Sequence, residues 1–213
     1  MTILLTGANR GIGRALFDGY RDRGTQIIGT ARTGAGFEPL EVTDSASHAA
    51  LAQRLDGRGI DLLICNAGVY PDKGMALEGG YGPDIWAEAF AVNVTGVFLT
   101  VQTLLPNLRK AGGKVAIMSS IMASHTRAPG GAYAYRASKA AALNLGRNLA
   151  QDLAPKGIAV GIYHPGWVRT DMGGDAADID VAEARDGLMA RFDALSLHTT
   201  GCYEDYRGET IPF

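Results

Sequence analysis

Cysteine is nearly absent from this chain. The only two, Cys65 and Cys202, stand far apart and show no metal-ligand spacing, which excludes a disulfide-built scaffold and a cysteine-based metal module. Both lie in strand-like contexts, so buried free thiols in a reducing cytoplasm are expected. An excess of one charge is missing too. The chain carries 20 Lys and Arg against 22 Asp and Glu, a net charge of −2, so nothing points to nucleic acid or to an anionic membrane surface as partner. No run of 18 or more apolar residues occurs, and Ile3-Leu4-Leu5 is too short for a signal peptide or a membrane span. The 29 glycines follow no repeating period and cluster at strand-to-helix junctions and loops, which argues for many tight turns rather than low complexity.

What is present suits one α/β domain over residues 1–213. Hydrophobic residues make up 46% and charged residues 20%, enough for a sizeable core. Thr2–Thr6 is a short apolar run that reads as a buried central strand. Gly7-Ala8-Asn9-Arg10-Gly11-Ile12-Gly13 follows at once, and Arg14–Arg23 has helical spacing. Strand, glycine loop and helix in succession form the context that binds a dinucleotide. Glycines let backbone approach a pyrophosphate, and the helix start offers free amides and partial positive charge.

The second strand, Gln26–Arg32, ends without an acid: the position that would meet a ribose 2′-hydroxyl falls on Ala31, and Arg32 follows. Arg10 in the glycine loop adds another guanidinium. Two cations and no carboxylate suit the 2′-phosphate of NADP(H) rather than NAD. Only seven residues separate Arg32 from Leu40, fewer than a helical crossover needs. The helix between strands two and three is therefore expected to be missing, with Leu40–Val42 as a short third strand.

Further along, Ser45–Leu55 reads as a helix capped by Asp44 or Ser45, and Ile60–Cys65 as a buried strand running into Asn66-Ala67-Gly68. A long helical pattern spans Asp84–Lys110 and contains Asn93, a residue whose amide competes for backbone bonds. Lys114–Ser120 is a strand ending in two serines. Ala137–Leu153 reads as helix. Ile158–Tyr163 is the next strand and leads into His164-Pro165-Gly166-Trp167-Val168-Arg169-Thr170. Thr170–Asp178 reads as a mobile lid, Val181–Leu195 as a helix and Gly201–Glu204 as a last strand.

Tyr135 and Lys139 carry the chemistry. Four residues apart, they share a helix face. A phenol ordinarily titrates near 10, and a neighbouring ammonium favours the phenolate and lowers that value, which would make Tyr135 a usable general acid or base. Tyr133 has no lysine four residues on and is expected to line or cover the site instead.

The glycine loop led by Thr6, with spacing G-x-x-x-G-x-G, and Tyr135-x-x-x-Lys139 together resemble the short-chain dehydrogenase/reductase family. Asn66-Ala67-Gly68, the helix Asn93, a serine before the tyrosine motif and Pro165-Gly166-x-Val168-x-Thr170 fall in that family's order, so the likeness covers nearly the whole chain. The runs 135–144 and 164–174 look most like its carbonyl-reductase-like branch containing the sniffer and C-factor proteins.

The resemblance implies a Rossmann-type, doubly wound, mainly parallel seven-stranded sheet of order 3-2-1-4-5-6-7 with helices on both faces. It implies an NADP(H)-dependent oxidoreductase that interconverts a carbonyl and an alcohol, with Asn93, Ser120, Tyr135 and Lys139 as catalytic residues. Ser120 would polarise the carbonyl, and Asn93 would kink its helix and support a water that relays protons to Lys139. Cofactor contacts are implied at Gly7, Asn9, Arg10, Gly11, Ile12, Gly13, Arg32, Asn66, Gly68, Tyr135, Lys139, Val168 and Thr170, and no metal site. The partners implied are a small-molecule carbonyl or alcohol and, by analogy, a second copy of the chain. A catalytically silent NADP(H)-binding sensor or scaffold is the alternative. A methyltransferase on a related sheet is disfavoured because Ala31 and Arg32 supply no acid.

Overall fold

The computed structural model describes residues 1–213. In chain order it comprises β1 (Thr2–Thr6), α1 (Gly11–Asp22), β2 (Gln26–Ala31), β3 (Glu38–Pro39), α2 (Ser45–Arg54), β4 (Leu62–Cys65), α3 (Pro83–Phe90), a π-helical turn (Ala91–Thr95), α4 (Gly96–Ala111), β5 (Lys114–Met118), α5 (Tyr133–Leu153), β6 (Ala159–His164), α6 (Val181–Ala194) and β7 (Tyr203–Asp205). The strands form one sheet of order β3-β2-β1-β4-β5-β6-β7, and every pairing is parallel. The expected Rossmann-type architecture is present.

Alternation along the central strands explains why both faces need helices. Ile3 and Leu5 face one cluster, with Leu62, Ile64, Ala116 and Met118, packed against Leu16 and Tyr20 of α1 and Leu188 and Phe192 of α6. Leu4, Leu63, Cys65, Val115 and Ile117 face the other, against Leu51 of α2 and Val101, Leu104 and Leu108 of α4. Successive side chains of a strand point to opposite sides, so a sheet apolar at every position must be covered twice. After β3 the chain crosses to the other side of β1 to form β4. This reversal opens a crevice at the carboxyl ends of β1 and β4, where such sheets bind ligands.

The crossover from β2 to β3 contains no helix, as its length requires. The third strand itself differs from the expectation of Leu40–Val42. Pairing is made by Glu38 and Pro39, opposite Thr30 and Ala31, and Pro39 is tolerated there because the strand is at the sheet edge. Leu40 and Val42 turn into the core instead. Cys202 also departs from expectation, since it precedes β7 and is only half-buried, whereas Cys65 is buried. Asp44, rather than Ser45, caps α2, accepting from Ala46 N at 3.0 Å and Ser47 N at 3.2 Å. Helix α5 begins at Tyr133, earlier than Ala137, so Tyr135 already lies inside its first turn.

Candidate active site

The site is assembled from strand ends. Helix α1 starts within the glycine loop, after Arg10 in extended conformation (φ −152°, ψ 168°), and no side chain caps it. The amides of its first turn are therefore unclaimed by the fold. Gly7 (φ +67°) turns the chain out of β1. The loop is braced from β4: Thr6 Oγ1 accepts from Asn66 N and Ala67 N, both at 3.0 Å. The Asn66 amide donates back to Thr6 O at 2.9 Å and Gly7 O at 3.1 Å. A cleft of about 260 Å³ runs from this loop past the end of β2 to Tyr135 and Lys139.

Every expected cofactor residue lines that cleft except Val168. Val168 is 3% exposed, its carbonyl accepts from Thr170 Oγ1 at 3.3 Å, and it pairs with Ile179, so its side chain belongs to the core behind the wall. Arg10 and Arg32 are both exposed. Arg10 reaches Asp171 at 3.6 Å, and Arg32 has no carboxylate partner among the ion pairs. Glu41 and Val42 line the cleft beyond them.

Tyr135 and Lys139 are 7% and 5% exposed. The Lys139 ammonium sits 5.7 Å from the Tyr135 ring centroid and donates to Met118 O at 3.0 Å. Burial pushes the Tyr135 phenol up to about 12, against the neighbouring Ser120 side chain, which lowers it, while the nearby Tyr70 and Asp72 raise it further. Burial pushes Lys139 down to about 8. The expected lowering of the phenol by its lysine is therefore not the state of the free protein. Desolvation dominates, and the ammonium is engaged by a carbonyl.

Of the two serines after β5, Ser119 donates to Lys139 O at 3.1 Å and is tied into the helix. Ser120 is the one whose side chain acts on the phenol, lowering its pKa. Ser120 also accepts from Met122 N at 3.1 Å. Asn93, 1% exposed, lies in the π-helical turn, a local widening of the helix. Its amide is fully used: Oδ1 accepts from Val69 N, and Nδ2 donates to Val69 O and Ser138 Oγ, all at 2.9 Å. It lies behind the cleft wall rather than in it.

The segment after β6 is held over the cleft. Gly173 N donates to Thr170 Oγ1 at 3.1 Å, Trp167 Nε1 to Gly173 O at 3.0 Å and Lys73 Nζ to Met172 O at 2.8 Å. Tyr133 is 37% exposed beside Tyr81. Two residues were invisible to sequence reasoning. Tyr70 stacks on Tyr135, with centroids 4.1 Å apart and planes at 17°. Asp72, wholly buried, accepts from Ala134 N at 2.8 Å and from Tyr135 N at 3.2 Å. Both reach partners about sixty positions away, and no local pattern signals such contacts.

Comparison with known proteins gives a consistent picture. A family model described as short chain dehydrogenase matches residues 1–179. The chain is 36% identical over 157 residues to C-signal of Myxococcus xanthus, covering 72% of this chain and 93% of that protein. It superposes on an NADPH-bound carbonyl reductase from chicken fatty liver with a TM-score of 0.90 and 29% identity, covering 100% of this chain and 98% of the other. For the carbonyl reductase Sniffer of D. melanogaster the TM-score is 0.94 at 25% identity, covering 100% and 99%.

Proposed function

This chain belongs to the short-chain dehydrogenase family, and from that premise we propose that residues 1–213 form one NADP(H)-binding domain that interconverts a carbonyl and an alcohol. The observation that carries the reading is the buried set of Tyr135, Lys139 and Ser120, the first two lining one cleft with an uncapped helix start.

The residues present fit the dinucleotide. The free amides of α1 suit a pyrophosphate, with Gly7, Asn9, Gly11, Ile12 and Gly13 forming the cradle and Thr170 facing it across the cleft. Arg32, exposed and without a carboxylate partner, is available to a 2′-phosphate, as is Arg10 once it leaves Asp171. Asn66 and Gly68 border the middle of the cleft, and Val168 contributes backbone only. When bound, NADPH supplies the hydride for the carbonyl carbon. Tyr135 gives its proton to the carbonyl oxygen, and its raised pKa keeps that proton in place at neutral pH. Ser120 donates to the same oxygen as negative charge develops. Lys139 would hold the cofactor's ribose and favour the phenolate left behind. Asn93 supports this set from behind, through Val69 and Ser138.

The test is NADPH oxidation followed against aldehydes, ketones and diketones. Turnover of at least one class is expected. Tight NADPH binding without turnover across the whole panel would instead establish a silent sensor. Cofactor choice has its own test. Arg32→Ala is expected to weaken NADPH by about 10-fold, the lower end of a charge-assisted contact worth ~1.5–3 kcal/mol, because Arg32 is exposed. NADH affinity should stay within twofold, and equal losses for both cofactors in fluorescence titrations would remove Arg32 from the phosphate site.

A homodimer through the long helices is part of the same reading. The continuous helix Pro83–Ala111 has a mean hydropathy of 1.5 in its most apolar 18 residues, of which only 39% are buried. Trp86 and Phe98 on it are 38% and 39% exposed. Light scattering is expected to give twice the 22.4 kDa chain mass, and a monomer at working concentration would count against the pairing.

A further inference from the structure

We propose that Tyr70-Pro71-Asp72 is a clasp that seats Tyr135 for proton transfer, with Asp72 as its positioning residue. This rests on the reading of Tyr135 as the proton donor, but the geometry behind it stands independently.

Helix α5 has a difficult beginning. Its first flanking residue, Ala132, sits in the left-handed region (φ 48°, ψ 45°) and has no side chain able to cap. The first-turn amides are buried with Ala134 and Tyr135, so they need acceptors. A Ser, Thr or Asn at the cap would supply one locally and is worth about 1 kcal/mol. The chain instead brings a carboxylate from a loop over sixty positions upstream. Asp72 Oδ2 accepts from Ala134 N at 2.8 Å and Tyr135 N at 3.3 Å, and Oδ1 from Tyr135 N at 3.2 Å. Asp72 is 0% exposed and takes part in none of the ion pairs. Burying a carboxylate without a cation is unfavourable by several kcal/mol before compensation, so capping alone is a poor reason for it. The helix start compensates through its amides and its partial positive charge.

What the distant carboxylate adds is a connection to the reactive ring. Two residues before Asp72, Tyr70 lies face to face with Tyr135. Pro71 between them fixes one backbone angle and stiffens the link. One residue earlier, Val69 is locked at both its amide and its carbonyl by Asn93. The Tyr135 carbonyl accepts from Ser138 Oγ at 2.8 Å, and Ser138 accepts from Asn93. Tyr135 is thus held at its amide by Asp72, at its ring by Tyr70 and at its carbonyl by Ser138. Two of these holds trace to one short loop, and Asn93 anchors both that loop and Ser138. Proton transfer tolerates little misplacement, which gives such a loop a function beyond stability.

The clasp also acts on charge. The groups acting on the phenol are Tyr70 and Asp72 from this loop, Ser120 after β5, Lys139 on its own helix and Tyr203 from β7. Asp72 and Tyr70 both disfavour the phenolate, so they help keep the proton on Tyr135.

The test compares Asp72→Ala, Asp72→Asn and Tyr70→Leu with the wild type in two readouts. The first is amide hydrogen exchange at Ala134 and Tyr135 in the free protein, which needs no turnover. Asp72→Ala is expected to lose protection there, while Asp72→Asn, which keeps one acceptor oxygen, loses less. The second is steady-state kinetics. Asp72→Ala should lower kcat by about 100-fold, as for a misplacement of about 1 Å, with KM for NADPH within twofold, and Tyr70→Leu should lower it by about 10-fold. In Asp72→Asn the lost charge favours the phenolate, so the pH profile of kcat for alcohol oxidation should move to lower pH, a shift that a merely structural role would not produce. Wild-type protection and kcat in Asp72→Ala would overturn the clasp. If Asp72→Ala does not fold, an unshifted pH profile of kcat for alcohol oxidation in Asp72→Asn together with unchanged kcat in Tyr70→Leu would do the same. Loss of amide protection in a protein that, even as wild type, turns over no carbonyl would uphold the clasp and sink the oxidoreductase reading alone.

Discussion

Tyr135→Phe is expected to lower turnover by about 10²–10⁴-fold, the usual contribution of a positioned general acid, while leaving NADPH binding within twofold. The substitution removes one oxygen and keeps the ring, so stacking on Tyr70 and burial in the cleft survive. Loss of the hydroxyl leaves Ser120 still accepting from Met122 N, so the Ser120 side chain keeps a partner. The change should therefore appear in kcat and not in Tm. Full activity in this variant would end the assignment of Tyr135 as proton donor. The pH dependence carries a companion sign. The phenol, pushed up to about 12, stays protonated across the neutral range, so reduction is not limited by its ionisation. Lys139, pushed down to about 8, loses its proton above that pH. The profile of kcat/KM for NADPH, which reports groups of the free protein, should be level near neutrality and decline above about 8.

Much of this site was legible because its parts are local in sequence. Thr6 to Gly13 announce a strand, a turn and a helix start within eight neighbouring residues, and Tyr135 and Lys139 share a face through helix periodicity alone. The missing helix before β3 followed from counting residues between Arg32 and Leu40. The misplacement of β3 has a different cause. Leu40 and Val42 are apolar and suggest a strand, but a crossover this short returns beside β2 earlier, and the pairing falls on Glu38 and Pro39. The hydrophobic pair is then free to enter the core. The sign of the phenol shift was not legible for a related reason: spacing shows that a lysine is near, but burial and the Met118 carbonyl decide its effect. Asp72 and Tyr70 are legible only in three dimensions, since an Asp after a proline in a loop reads as an ordinary turn residue.

Gly13→Ala sets two local effects against each other, and their magnitudes decide the result. Within a helix, alanine is favoured over glycine by about 1 kcal/mol. At this position, however, a Cβ would stand 2.0 Å from the Gly7 carbonyl oxygen and 2.6 Å from Asn66 Nδ2. The first atom is backbone and the second is bonded to that same carbonyl, so neither can yield by a simple rotamer change. Overpacking of this kind costs about 1–3 kcal/mol or more, and the Asn66 brace is lost in addition, worth about 1 kcal/mol. The clash wins. Stability should fall by about 2 kcal/mol, or roughly 4–8 °C in Tm for a chain of this size. The larger effect is on the ligand: relieving the clash pushes α1 away from Gly7 and displaces the unclaimed amides together, so NADPH should bind about 100-fold more weakly, several charge-assisted contacts of ~1.5–3 kcal/mol each being disturbed at once. Gly24→Ala is the control. Gly24 has φ +73° and open space around it, so it carries backbone strain alone, and it should lower Tm without changing NADPH affinity. Wild-type NADPH affinity in a folded Gly13→Ala protein would mean that the cleft at the end of β1 is not where the dinucleotide sits.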